Sequence, residues 1–151
     1  MQSSVRTNDK LIESLIEKFV PRFVPGSQVA YANDNRLHFD EALLRDLGIA
    51  VDSHQKMPDL VLHDPAHDWL LVVESATSHG PIDEERLEEL AHIFHKVKPR
   101  LVFVTVFPNR TSMTKYPGLI AWETHAWCAD EPEHMIHFNG SRFLGPYSQS
   151  N

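Results

Sequence analysis

The run Arg100–Phe107 (RLVFVTVF) is almost wholly apolar and β-branched, with no alternation of polar and apolar positions. Such a segment reads as a strand covered on both faces, which requires further layers above and below a sheet. A helix pattern precedes it. After Gly80-Pro81, Asp83 can cap a helix whose inner face is Leu87, Leu90, Ala91, Phe94 and Val97, with Ile82 and Leu87 as a hydrophobic staple. A helix followed by a buried strand implies a parallel crossover, and with it an α/β fold: a mixed sheet flanked by helices.

The rest of the chain supplies parts for that sheet. From Asn8, the positions Leu11, Ile12, Leu15, Ile16, Phe19 and Val20 form the stripe of an amphipathic helix, expected to end at Pro21. Gln28–Ala32 reads as a strand, and Asn33-Asp34-Asn35 as a turn into the extended piece Arg36–Phe39. Asp40 then caps a short helix, stapled by Phe39 and Leu44 and closed by Gly48. Met57–Asp64 and Trp69–Thr77 flank Pro65–Asp68 as the two arms of a hairpin. Beyond the buried strand, Thr111–Tyr116 suits a short helix, Ala121–Ala129 a strand, and His134–Phe143 a hairpin turning at Asn139-Gly140.

A length of 151 residues fits one domain, 1–151, able to bury roughly 68–70% of its unfolded surface, with 1–7 and 147–151 as flexible ends. Hydrophobic residues at 42% and charged residues at 23% exclude intrinsic disorder. Cys128 is the only cysteine, so neither an intrachain disulfide nor a thiolate cluster can form, and a cytoplasmic location is expected. Neither a signal peptide nor a membrane-spanning stretch is visible. The net charge of -7 argues against general nucleic-acid binding through overall charge, yet Lys96, Lys98, Arg100, Arg110 and Lys115 share a stretch free of Asp and Glu. Asp83–Glu89, by contrast, is dominated by acids; solvated surface accounts for both runs equally well.

The hairpin carries the chemistry. If Asp64 faces Trp69, the register places Asp59 opposite Glu74 on one face of the sheet. Two carboxylates about 5 Å apart would repel by about 3 kcal/mol at an effective dielectric of 20, and a cation would relieve them. Hard oxygen donors without cysteine favour Mg²⁺ completed by water and substrate phosphate, the arrangement of a phosphodiesterase. A solvated sheet edge, or a one-residue slip that sends one carboxylate to the opposite face, explains the same residues without a metal. The histidine pairs His92/His95 and His134/His137 lack the cysteine partners or HExxH spacing of a zinc site.

Four blocks, LGIAVDSHQKMPDLVLHD (47–64), ESATSHGP (74–81), LVFVTVFP (101–108) and AWETHAWCADEPEHMIHFNGSRFLGP (121–146), resemble the catalytic domain of BsuBI/PstI-type restriction endonucleases over about residues 10–146. The resemblance implies a PD-(D/E)XK nuclease core and Mg²⁺-dependent cleavage of double-stranded DNA at a short palindrome, with Mn²⁺ as a substitute ion. Pro58-Asp59 would be its PD element and Glu74 its second acid, with the backbone carbonyl of Ser75 also reaching the metal. Two positions depart from the pattern: the superfamily lysine two residues after Glu74 is Ala76, and a lysine that relatives carry at the start of the following helix is Glu85.

With no lysine at position 76, His79 is the candidate for orienting the attacking water or binding the phosphate, a turn-capping histidine being the alternative. Lys56 is a candidate phosphate contact or a solvated lysine, and Thr124, His125, Asn139 and Arg142 are candidates for base readout from a hairpin or edge strand. A palindromic site implies a homodimer, and the family's amino-terminal DNA-binding region would be separate or missing. The alternative function is a catalytically inactive or non-specific homologue acting in DNA binding, repair or phage defence.

Overall fold

The computed structural model describes residues 9–33, 38–50, 55–77, 80–116 and 118–138. Its strands are β1 (Gln28–Ala32), β2 (His38–Phe39), β3 (Leu60–Asp64), β4 (Trp69–Ser75), β5 (Arg100–Phe107), β6 (Thr124–Cys128) and β7 (Ile136–Phe138). Among the described residues they form one seven-stranded mixed sheet in the order β2-β1-β3-β4-β5-β6-β7. The β4–β5 and β5–β6 pairs are parallel and the others antiparallel. Among the described residues the flanking helices are α1 over residues 9–23, α2 (Glu41–Leu47), α3 (Glu84–Ile93) and α4 (Arg110–Met113).

Period-two alternation along β4 divides the core. Leu71 and Val73 join Leu60, Leu62, Val104, Val106 and Trp127 under Leu11, Ile12, Leu15 and Phe19 of α1. Leu70 and Val72 join Val61 and Tyr31 on the other face, beneath Leu44 and Leu47 of α2, Leu90 of α3 and Phe94 at its carboxyl cap. An aliphatic side chain truncated to Ala in such a core costs about 2–5 kcal/mol, so both layers are needed to hold the central strands.

The hairpin has the expected register, with Asp64 opposite Trp69 and Leu60 opposite Val73. At its turn the fully buried Asp64 accepts from the Ala66 amide at 3.1 Å and contacts His67 Nδ1 at 2.6 Å, and the His67 ring stacks on Trp69. The crossover from β4 to β5 runs through α3, as the order of patterns requires. Asp40 caps α2 through the Leu43 amide, and Gly48 closes it with a left-handed φ of 89°. A Cβ at Gly48 would also lie 2.9 Å from the Lys96 carbonyl, so only glycine fits there.

Three expectations need correction. Pro21 does not end α1: a π-helical stretch at Leu15–Phe19 shifts the hydrogen bonding so that Val20 N–H reaches the Leu15 carbonyl, and the helix continues through Val20–Phe23. Ala91 is exposed, and Ile93 packs against the core beside Leu90 and Phe94. β5 is fully covered only over its second half, since Arg100 is exposed and Leu101, Val102 and Phe103 are partly exposed. The turn at Asn139-Gly140, Asp34 and Asn35 of the expected turn, the first half of the extended piece Arg36–Phe39 and the chain ends lie outside the described residues; β7 itself pairs with β6.

Candidate active site

The carboxyl end of β4 gathers the polar residues. Glu74 is the penultimate residue of the strand and follows the alternation of Leu70 and Val72, so it faces α3. Asp59 stands one residue before β3, where the register continues towards Glu74, and its Oδ2 accepts from the Ser75 amide at 2.8 Å. The backbone behind it is pinned as well, because Asn33 N–H donates to the Asp59 carbonyl at 2.8 Å. Arg86 contacts Glu74 directly and also feels the charge of Asp59.

Arg86 belongs to the first turn of α3. The Asp83 carboxylate caps the Arg86 amide at 2.8 Å, and the guanidinium reaches down to Glu74, with Nε 3.1 Å from Oε2 and Nη2 2.7 Å from Oε1. Nη2 also donates to the Lys56 carbonyl at 2.9 Å, which ties the segment before Asp59 to the helix. The two side chains are 13% and 8% exposed, so this fork is nearly dry and correspondingly strong. Burial alone would lower the Arg86 pKa, but the hydrogen bonds and charge of Glu74, then the charges of Glu89 and Asp59, outweigh it and raise it. Tyr31 is shifted upward by burial and then by the charge of Asp59.

Sequence reasoning missed Arg86, although a signal was present: it stands four residues before the buried Leu90, on the inner face of the helix, amid acids. Glu85 is exposed, because one residue along a helix rotates a side chain by about 100°. Ala76 is buried and packs with Phe107, Ala126 and Cys128.

Of the remaining sequence candidates, Lys56 is exposed and joined to the site through its carbonyl. Thr124 is fully buried with its hydroxyl donating to the Ala121 carbonyl at 2.7 Å, so it presents nothing for base readout. His125 follows the same alternation as Trp127, which places it on the α1 side of the sheet, away from Glu74; its Nδ1 lies 2.8 Å from that of His137. His79, Asn139 and Arg142 lie outside the described residues.

The donors suit a hard divalent ion. A carboxylate offers four acceptor positions and Arg86 occupies two on Glu74, which leaves one lone pair on each oxygen. No group of three or more His, Cys, Asp or Glu among the described residues could cage a metal. Two carboxylates completed by water and phosphate match the habit of Mg²⁺, which seldom takes an all-protein cage.

The model of the BsuBI/PstI restriction endonuclease domain matches residues 1–141. The chain belongs to that family. It is 53% identical to the type II restriction enzyme BsuBI of Bacillus subtilis over 93% of its own length and 45% of that protein's. It is 36% identical to the type II restriction enzyme AplI of Arthrospira platensis, over 70% of this chain and 33% of the relative. Among solved structures, the SdaI restriction endonuclease superposes with a TM-score of 0.86 at 45% identity, covering 94% of this chain and 46% of that one. The chain therefore spans less than half the length of these relatives, and the restriction-endonuclease-like mixed α/β core expected from the sequence is the one observed.

Proposed function

We propose that this chain is the Mg²⁺-dependent nuclease domain of a type II restriction endonuclease, hydrolysing phosphodiester bonds of double-stranded DNA at a short palindromic site. The observations that support this reading are the Asp59 carboxylate on the Ser75 amide, next to Glu74 in the chain, and the buried Arg86 fork on Glu74, in a chain of this family. The carboxylates of Asp59 and Glu74 and the carbonyl of Ser75 would hold the ion, with Mn²⁺ an acceptable substitute. Bound there, the ion would supply Lewis-acid stabilisation of phosphate charge and a lowered pKa for water.

The chain's own residues set the geometry. The Ser75 amide fixes Asp59, and the Arg86 fork fixes Glu74. Lys56 supplies positive charge at the edge for the DNA backbone, and His79 is the proposed group for orienting the attacking water. A palindromic substrate mirrors a twofold protein, so the working unit is a homodimer on DNA, and the expected location is the cytoplasm; among the described residues no helix is long and apolar enough to cross a membrane.

Plasmid DNA incubated with the protein and Mg²⁺ is expected to give discrete fragments, and Asp59→Ala or Glu74→Ala to give none. Undiminished cutting by both variants removes these acids from the reaction. The burial of Ala76 where the superfamily has lysine supports a second reading, an inactive or non-specific homologue. Retention of many DNA sequences without cleavage in either Mg²⁺ or Mn²⁺ selects that one.

A further inference from the structure

A guanidinium has five N–H donors. In Arg86 three are used: Nε on Glu74, and the two Nη2 hydrogens on Glu74 and on the Lys56 carbonyl. Nη1 is buried and meets no hydrogen-bond acceptor among the described residues; Glu89 Oε1, at 3.7 Å, gives charge contact only. A covered donor without a partner is an exception in folded proteins and calls for an explanation. Here it belongs to the cation between helix and acids, on the strand end assigned above to metal and phosphate. Resting on that reading, we propose that Arg86 is the resident cation of the site: it neutralises Glu74 before a divalent ion arrives, opposes that ion by its own charge, and, when the exposed Glu89 side chain beside it gives way to DNA, offers Nη1 to a phosphate oxygen.

The sign of the effect separates this role from a structural one. An ion bound by Glu74 shares its carboxylate with the guanidinium, so two positive groups lie on either side of the same oxygens. Removing the arginine charge then strengthens ion binding while it loosens the fold. An arginine that only held Glu74 in place would, once removed, leave the carboxylate misplaced and ion binding weaker. Loss of the phosphate contact lowers cleavage in either charge state, because a lysine ammonium cannot span Glu74 and a phosphate together.

The test is a titration of the full chain with Mn²⁺ alone, by calorimetry, in the wild type, Arg86→Gln and Arg86→Lys, with thermal unfolding to confirm that each is folded. Arg86→Gln is expected to bind Mn²⁺ roughly tenfold more tightly than the wild type. Arg86→Lys, which keeps the charge, is expected to stay within about twofold in affinity while its cleavage rate falls on the order of 100-fold. Equal or weaker binding by Arg86→Gln overturns the proposal, as does a tenfold weakening in Arg86→Lys should the glutamine variant not fold. For the phosphate contact, duplex DNA bound in Ca²⁺ should show a log-log salt slope smaller by about 0.9 in Arg86→Gln, one contact fewer, and an unchanged slope overturns that half. Metal-dependent cleavage with unmoved Mn²⁺ affinities sinks only the role of Arg86. Absence of Mn²⁺ binding from all three proteins sinks the metal reading together with it.

Discussion

The two ends of the β3–β4 hairpin each bury a carboxylate, and they satisfy it in opposite ways. At the turn, Asp64 draws its partners from the next few residues, the Ala66 amide and the His67 ring, with Trp69 stacked behind. At the open end, Glu74 draws on Arg86, twelve residues away across a helix, and the partner keeps donors in reserve. The first carboxylate is closed by local geometry, and because it is fully buried no ligand reaches the lone pairs that remain. The second is held by a long-range cation with hydrogen bonds to spare, which is how a site differs from a structural plug.

That contrast breaks most readily through paired variants. Glu74→Ala should lose cleavage altogether, whereas Asp64→Ala should cleave at the wild-type rate per folded molecule in a single-turnover assay; equal losses in both would erase the distinction. Asp64→Ala should instead lower stability by about 1–3 kcal/mol, because the Ala66 amide and the His67 ring lose their acceptor inside the protein. Thermal unfolding would show this as a drop of about 2–4 °C for each kcal/mol.

The β6–β7 edge, remote from both carboxylates, sharpens the comparison. Burial and then the neighbouring His137 hold the His125 imidazole below its usual value of 6.5. The unfolded chain therefore takes up the proton first, so stability falls as pH drops below 6.5 towards the folded value and is unaffected above it. His125→Gln should flatten that decline in a series of unfolding temperatures; parallel curves would show that the acid sensitivity arises elsewhere.

The smallest effect concerns Cys128, whose thiol is pushed up to about 11 by burial, then by Asp130 and Glu131. Iodoacetamide at pH 8 should leave it unmodified in the folded protein and alkylate it in urea. Rapid alkylation of the native chain would show that the strand end near Arg110 opens readily.

Much of this was legible because it was local. The Asp40 and Asp83 caps, Gly48, the four-residue turn and the β3–β4 register follow from spacings of a few residues, and each is as expected. The family likeness extended that reading to the nuclease-like core. What misled the reading was nonlocal. Pro21 follows a π-helical turn at Leu15–Phe19, whose buried Leu15 and Phe19 pack on the sheet, and the helix runs on past it. Thr124 looks like a surface polar residue until β6 takes its place between β5 and β7 and buries it, leaving its hydroxyl to the nearby Ala121 carbonyl.

By itself the sequence determined the two-layered alternation, the crossover and the register that carries Asp59 towards Glu74, since backbone period and turn length act over short distances. Only the tertiary structure decided which charge answers those acids. Spacing along the chain named the acids but not Arg86, because only the docking of α3 on the sheet brings its guanidinium within hydrogen-bond range of Glu74, twelve residues away. Helix periodicity can tell which way a side chain turns, but whom it meets is set by how separate elements pack.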